Sequence, residues 1–225
     1  MLVKICGITN IEDALLAVDA GADILGFNFY RPSSRYIEPV AAREIIKQLP
    51  RTTLTAGVFV NEPLELVEQV ATKTGVSILQ LHGDESPEYC RALKLNLVVK
   101  VLAVGPDFVP ERALEYPVDG IMLDAHDKAL RGGTGHTVDW SNARRTRELF
   151  PRLLLAGGLS PENIAQAIAE VIPFAVDACS ALEAAPGKKD PERVRAFVAA
   201  ARAAWEELTA LLRHNRSALN LDPHR

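Results

Sequence analysis

The stretch Met1-Leu2-Val3-Lys4-Ile5-Cys6-Gly7-Ile8-Thr9-Asn10 begins a pattern that the rest of the chain repeats. Its aliphatic residues are typical of a short buried strand, and Thr9 or Asn10 can cap the helix that follows at once. Cys6 therefore lies where a strand meets a loop. In a parallel α/β protein that end of the strand faces the ligand crevice, so Cys6 is either a functional thiol or an inert core residue.

The alternation of strand and helix continues along the whole chain. Further short apolar runs, each followed by a helical pattern, predict strands at 23–29, 54–60, 77–81, 97–103, 120–123, 153–155 and 174–176. A closing helix is predicted over 191–212. Eight such units predict a closed, single-domain (β/α)8 TIM barrel over residues 1–213, with a doubly wound open sheet as the alternative. We expect residues 214–225 to form a poorly ordered tail.

The composition is typical of a globular protein that does not bind nucleic acids or membranes. The chain has 225 residues, of which 48% are hydrophobic and 24% charged, with a net charge of -4. It therefore lacks the basic surface that nucleic acids and anionic membranes attract, and we expect neither as a partner. No apolar run is long enough to span a bilayer and the N-terminus has no secretory pattern, so we expect a cytoplasmic protein.

The cysteines do not form a recognisable pattern. Cys6, Cys90 and Cys179 are odd in number, widely spaced and without metal-ligand spacing. We therefore expect neither a disulfide framework nor a zinc site.

Polar residues follow most of the predicted strands, at the end of the barrel where active sites of this fold lie. In chain order they are Cys6, Arg35, His82, Asp84, Asp124, Gly157, Gly158 and Ser180. Cys6 suits a general base if nearby charge favours its thiolate, and Asp124 suits a general acid, although a capping carboxylate is equally compatible. Arg35 offers a fork that binds a carboxylate bidentately, unless it is simply solvated. We expect His82 to be structural.

The double glycine after the seventh strand predicts a phosphate site. Gly157 and Gly158 precede a helix predicted over 161–170, so unpaired backbone amides would converge on one point. Ser180 and Ala181, after the eighth strand, would add amides or a hydroxyl. The alternative is that the glycines only form a tight turn.

Lys100, inside the fifth strand, suggests a different chemistry. A buried lysine in a barrel strand can form a Schiff base with a carbonyl substrate, which would make the protein an aldolase or lyase acting on a sugar phosphate. Its valine neighbours favour the other interpretation, a paired interior lysine.

Several segments, taken in order, resemble the phosphoribosylanthranilate isomerase family. They are Lys4-Ile5-Cys6-Gly7-Ile8-Thr9, Gln80-Leu81-His82-Gly83, Leu123-Asp124, Gly132-Gly133-Thr134-Gly135, Ala156-Gly157-Gly158-Leu159, and Asp177 with Glu183, Gly187, Lys188 and Asp190. The resemblance implies a (β/α)8 isomerase of tryptophan biosynthesis. It would convert N-(5-phosphoribosyl)anthranilate to 1-(2-carboxyphenylamino)-1-deoxyribulose 5-phosphate by an Amadori rearrangement, without a cofactor, as a monomer or homodimer.

The resemblance also implies roles for individual residues. Cys6 matches the family's general base, Asp124 its general acid and Arg35 its ligand for the anthranilate carboxylate. Gly157 and Gly158, with Ser180 and Ala181 of the eighth loop, would hold the phosphate, and Asp177 would contribute to substrate binding.

The sequence departs from the family pattern after Asp177, where Ala178-Cys179-Ser180-Ala181 replaces the usual two serines and glycine. Ala181 carries a Cβ in place of that glycine. This substitution is costly if the backbone there needs a positive φ or a close approach to phosphate. The closing helix is also longer than the family pattern.

Overall fold

A computed structural model of the chain describes residues 1–94, 96–125 and 139–218, in which eight parallel strands close into a barrel. The strands are β1 Leu2–Cys6, β2 Ile24–Asn28, β3 Leu54–Phe59, β4 Ile78–Leu81, β5 Leu97–Val104, β6 Gly120–Ala125, β7 Leu153–Leu155 and β8 Ala175–Ala178. The prediction of a (β/α)8 barrel is confirmed. The alternative of an open sheet is wrong, because β8 pairs with β1 along a register that runs from Leu2↔Ala175 to Ile5↔Ala178.

Helices cover the outside of the barrel. They are α1 Ile11–Asp19, α2 Pro39–Ile46, α3 Leu64–Thr74, α4 Pro87–Ala92, α5 Trp140–Leu149, α6 Ile164–Val171 and α7 Pro191–Ala218. A 3-10 helix, Pro110–Glu115, follows β5, where the helical pattern of the sequence is weak. Of the two predicted caps for α1 it is Asn10 that caps, since its side chain accepts a hydrogen bond from the Asp13 amide at 2.8 Å.

Two helix ends differ from the prediction. The helix α6 begins at Ile164 rather than near 161, because Asn163 ties the preceding turn to Ser160 and Gly158. The helix α7 continues to Ala218, since its Ala-, Leu- and Arg-rich sequence has high helix propensity. Residues 219–225 lie outside the described residues, so a poorly ordered tail stays a prediction for them. The motif Gly132-Gly133-Thr134-Gly135 also lies outside the described residues.

A small hairpin after β8 was not predicted. A 3-10 turn, Ser180–Leu182, leads into the antiparallel pair β9 Glu183–Ala185 and β10 Lys188–Lys189. The hairpin is tied to the start of α1, because the Lys189 amide donates to Asp13 Oδ2 at 2.8 Å. It therefore holds the loop after β8 against the loop after β1.

The side chains inside the barrel change from apolar to polar along the barrel axis. One half is filled with apolar side chains: Ile24, Ala56, Ile78, Val99, Val101, Met122, Leu154, Ala156 and Ala175. Toward the carboxyl ends of the strands, the same inward-facing rows continue with polar residues such as Cys6, Gln80, Asp124 and Asp177.

No helix in the described part of the chain is long and apolar enough to cross a membrane.

Candidate active site at the carboxyl end of the barrel

A cavity opens where the inward-facing rows become polar. It is lined by residues from the ends of six strands and the loops that follow them: Cys6, Asn28, Tyr30, Ser33, Arg35, Val58, Val60, Gln80, His82, Asp124, Asp177 and Cys179. Four of the predicted site residues, Cys6, Arg35, Asp124 and Asp177, are therefore brought together. The predicted phosphate residues lie outside this lining, on the loops after β7 and β8.

Cys6 lies beside a buried ion pair. Lys4 precedes it by two residues, on the same face of β1, and Lys4 Nζ contacts Asp177 Oδ1 of β8 at 2.9 Å. Burial raises the pKa of Asp177 to about 7 despite the charge of Lys4. Burial opposes the charged form of Lys4 as well, but Asp177 and Cys6 together raise the pKa of the ammonium. Lys4 is therefore a permanent positive charge next to the Cys6 thiol.

The thiol of Cys6 is also contacted by a second thiol. Its hydrogen bond with Cys179 and the positive charges of Lys4 and Lys189 outweigh burial and hold the pKa of Cys6 well below its ordinary value. The Cys179 thiol also donates to Glu183 Oε1 at 3.8 Å. The pKa of Cys179 is raised correspondingly, because its proton is shared with Cys6 and its side chain is buried. The pair therefore consists of a stabilised Cys6 thiolate and a protonated Cys179 donor.

Glycines make the space that these thiols occupy. Gly26 faces Cys6 across the β1–β2 pair, and a Cβ at Gly26 would lie 2.7 Å from Cys6 Sγ. Gly7 adopts a φ of +78°, and a Cβ there would lie 2.8 Å from Cys179 Sγ. Larger residues at either position would displace the thiols.

Arg35 is held by a carboxylate of the hairpin. Its Nε and Nη2 donate to Glu183 at 2.9 and 2.7 Å, and Glu183 also accepts from Lys189 Nζ at 3.1 Å. Burial acts to raise the pKa of Glu183, but these two cations lower it. Glu183 thus binds the Nε and Nη2 edge of the guanidinium and fixes Arg35 at the cavity wall. Glu183 does not use Nη1.

Asp124, near the end of β6, contacts His82, which follows β4. His82 Nε2 lies 3.2 Å from Asp124 Oδ2, and Gln80 Nε2 lies 3.4 Å from His82 Nδ1. The imidazole ring of His82 is therefore held between Gln80 and Asp124. His82, which the sequence analysis treats as structural, therefore orients the carboxyl group that is the candidate acid. Asp84 lies away from this group and contacts Asn61.

The loop after β7 contains two consecutive glycines in the left-handed backbone region. Gly157 and Gly158 have φ values of +83° and +65°, which favour glycine. Among the described residues, their amides have no hydrogen-bond acceptor within the chain. Asn163 fixes the loop by accepting from the Ser160 amide and donating to Gly158 O, both at 2.9 Å. The predicted helix start at 161 is replaced by this turn, so α6 does not begin directly after the glycines.

The loop after β8 completes the same edge of the barrel. Ser180 and Ala181 lie in a 3-10 turn, and Ala181 is not among the described residues with positive φ, so its Cβ causes no backbone strain. Arg193 of α7 joins the two loops, because it donates to Ala181 O and contacts Glu162 at 3.4 Å.

Lys100 is not in the cavity. Its neighbours Val99 and Val101 face the barrel interior, so Lys100 points outward to the helical layer. Its Nζ contacts Glu85 Oε2 at 2.9 Å and donates to Gly83 O at 2.7 Å, with the side chain 2% exposed. The prediction of a paired interior lysine is confirmed, and the Schiff-base alternative lacks a substrate-accessible amine.

Four charged or thiol groups around Cys6 and Arg35 were not predicted from the sequence. Lys4, Cys179 and Lys189 act on the Cys6 thiol, and Glu183 binds Arg35 and Lys189. Lys4 could have been found from the period-2 alternation of β1, which gives Lys4 and Cys6 a common face. The other three follow β8, more than 170 residues away, and only the pairing of β8 with β1 brings them near.

The chain was compared with known families and structures. A profile described as N-(5'-phosphoribosyl)anthranilate (PRA) isomerase matches residues 3–200. N-(5'-phosphoribosyl)anthranilate isomerase of Pelobacter propionicus is 48% identical over 207 residues, which cover 92% of this chain and 98% of the relative.

Solved structures of the same family superpose closely. A phosphoribosyl anthranilate isomerase in complex with reduced 1-(o-carboxyphenylamino)-1-deoxyribulose 5-phosphate is 44% identical, with a TM-score of 0.81, over 90% of this chain and 100% of that one. Monomers generated from the dimeric Thermotoga maritima enzyme are 45% identical, with a TM-score of 0.81 and the same coverage. The chain belongs to the N-(5'-phosphoribosyl)anthranilate isomerase family.

Proposed function

We propose that the chain converts N-(5-phosphoribosyl)anthranilate to 1-(2-carboxyphenylamino)-1-deoxyribulose 5-phosphate in tryptophan biosynthesis. The observation that carries the proposal is that Cys6, beside the buried ammonium of Lys4, lines the same cavity as Asp124, whose carboxyl group contacts His82. A base and an acid from different strands in one cavity are what an aldose–ketose rearrangement needs, because one proton must be delivered and another removed.

In the proposed mechanism Asp124 delivers the first proton. It protonates the ribose ring oxygen, and the anilino nitrogen donates its lone pair as the ring opens to a Schiff base. The Cys6 thiolate then removes the proton on C2, which gives an enolamine. When C1 of the enolamine takes up a proton and the C2 hydroxyl releases one, the ketone forms. The substrate nitrogen serves as electron sink, so the proposed reaction needs no cofactor.

The remaining polar groups suit the two ends of this substrate. Arg35 would bind the anthranilate carboxylate through Nη1, which Glu183 leaves unused. Gly157, Gly158, Ser180 and Ala181 would bind the phosphate through backbone amides. Asp177 would accept a hydrogen bond from a sugar hydroxyl, through the oxygen that does not contact Lys4.

The location, the partners and the oligomeric state of the protein are also proposals. We expect a cytoplasmic enzyme with a small-molecule substrate and no nucleic-acid partner, working as a monomer or as a homodimer like that described for the Thermotoga maritima relative. The acidic composition supports the absence of a nucleic-acid partner.

The test is turnover by the purified protein, followed as the loss of substrate fluorescence. Cys6→Ala and Asp124→Asn are each expected to lower kcat by about 10²- to 10⁴-fold, the usual contribution of one acid or base. Cys90→Ser and Asp84→Asn are the matched controls and should retain turnover, because neither residue lines the cavity. Near-full turnover by Cys6→Ala would show that another group is the base, and failure of the wild-type protein to restore growth of a tryptophan auxotroph would refute the function.

A further inference from the structure

The second thiol beside Cys6 transfers no proton in the proposed mechanism, although it helps to lower the pKa of Cys6. The parallel register of β1 and β8 pairs Lys4 with Asp177 and Ile5 with Ala178, so one step further brings Cys6 level with Cys179. Side chains alternate along each strand, and the 2.9 Å contact of Lys4 with Asp177 shows which faces meet. Cys6 and Cys179, each two residues further on, therefore meet on the same side.

The spacing of these two residues suits a disulfide. Neighbouring strands lie about 4.8 Å apart, and a disulfide requires Cα atoms roughly 4.4–6.8 Å apart. Both residues line the cavity, so a small oxidant reaches them without any movement of the backbone.

The surrounding charges favour attack on an oxidant. Lys4 lies beside Cys6, and Lys189 Nζ lies 3.9 Å from Cys179 Sγ. Both ammonium groups stabilise thiolate character, which is the nucleophilic form of cysteine. Cys90 lacks these features, because it is buried on α4 and burial raises the pKa of its thiol to about 11.

We propose that Cys6 and Cys179 form an oxidation-sensitive dithiol, which a hydroperoxide converts to an intramolecular disulfide that removes the proposed catalytic base. The Cys6 thiolate attacks the peroxide; the O–O bond breaks, the sulfur becomes a sulfenic acid and the peroxide is reduced to an alcohol or water. Cys179 then attacks this sulfur. The S–S bond forms, the S–O bond breaks, and the departing hydroxide takes the Cys179 proton to leave as water. A dithiol reductant restores both thiols.

The experiment uses the full-length, fully reduced protein and hydrogen peroxide as the oxidant. After peroxide treatment the free thiols are alkylated, and the intact mass and the proteolytic peptides are measured before and after reduction with dithiothreitol. In the wild-type protein we expect two of the three thiols to resist alkylation and a peptide carrying Cys6 to be linked to one carrying Cys179. Turnover should be lost in step with this link and recover on reduction.

Two variants separate this dithiol from other oxidation products. Cys90→Ser should give the same link as the wild-type protein. Cys179→Ser should give no link, and its Cys6 should instead accumulate as a sulfenic acid that dimedone labels. Alkylation of all three thiols after peroxide, or links that involve Cys90 or a second copy of the chain, would overturn the proposal. The mass measurement does not depend on isomerase activity, so this result and a failure of the proposed function are distinguishable.

Discussion

At the scale of single residues, the chemistry of Cys6 depends on groups that contact it from two strands. Lys4 supplies a charge from its own strand, while Cys179 and Lys189 approach from the segment after β8. An isolated buried thiol would be protonated at neutral pH, because burial disfavours the thiolate. The functional property therefore belongs to the group of residues and not to Cys6 alone.

The pH dependence of turnover tests the contribution of Cys179. Because the proposed base is the thiolate, kcat/KM should fall as the pH drops through the pKa of Cys6, and this acid limb should lie well below the ordinary thiol pKa of about 8.5. Cys179→Ala removes the S–H donor, which destabilises the thiolate and raises the pKa of Cys6. We expect the acid limb to move to higher pH by about one to two pH units, since a hydrogen bond to a charged group contributes about 1.5–3 kcal/mol.

Cys179→Ser is the matched control for this measurement. Its hydroxyl can still donate to Cys6, so the acid limb should stay close to that of the wild-type protein. A purely structural role of Cys179 predicts instead that both variants change kcat/KM equally at every pH.

The sequence could predict those site residues that lie at the end of a recognisable strand or in the loop directly after it. Cys6, Arg35 and Asp124 lie after recognisable apolar runs, and the fold alone directs them to one end of the barrel. Glu183 and Lys189 could not be assigned in this way. Their contacts depend on a hairpin whose strands are too short to give a hydrophobic pattern.

At the scale of elements, the strands were predictable and the helix ends were not. Strands buried on both faces read as continuous apolar runs, so all eight positions agree with the sequence prediction. Helix ends depend on local side-chain contacts such as those of Asn163, and on propensity such as that of the alanine-rich α7. Apolar periodicity reports neither of these.

The buried ion pair of Lys100 and Glu85 joins β5 to the loop after β4, and we expect it to stabilise the fold. Lys100 contacts two backbone carbonyls as well as Glu85, whose carboxylate accepts from the Asn61 and Gly83 amides. Removing one buried partner leaves the other charge uncompensated. Lys100→Met should therefore lower the free energy of unfolding by about 3–5 kcal/mol, as measured by urea denaturation.

Two comparisons make this prediction specific. The double variant Lys100→Met with Glu85→Gln should recover part of the loss, since it no longer buries an unpaired charge. Lys47→Met, which breaks the exposed pair of Lys47 with Glu44, should leave the urea midpoint unchanged. A Lys100→Met protein of wild-type stability, or a borohydride-trapped adduct at Lys100, would contradict the structural role.

At the scale of the whole molecule, the two ends of the barrel differ in structure: one contains the cavity and the other contains the contacts between α7 and the first strands. The carboxyl ends of the strands carry the cavity, whereas the opposite end joins the beginning of the chain to its last helix. Arg202 of α7 donates to Met1 O at 2.9 Å and to Gly21 O at 2.8 Å, and it contacts Asp23 at 2.6 Å. Asp23 in turn accepts from the Val3 amide at 2.7 Å, so one guanidinium connects α7 to β1 and to the start of β2.

This separation predicts a variant that changes stability without changing catalysis. Arg202→Ala removes hydrogen bonds from a charged donor that is about one-third exposed, so it should lower the free energy of unfolding by about 1–2 kcal/mol. Its kcat/KM should equal that of the wild-type protein, because the cavity lies at the other end of the barrel. Arg195→Ala, an exposed change on the same helix, should alter stability by less than about 0.5 kcal/mol. If Arg202→Ala lowers kcat/KM at a temperature where the protein is fully folded, the two ends of the barrel are coupled and the separation of stability from catalysis is wrong.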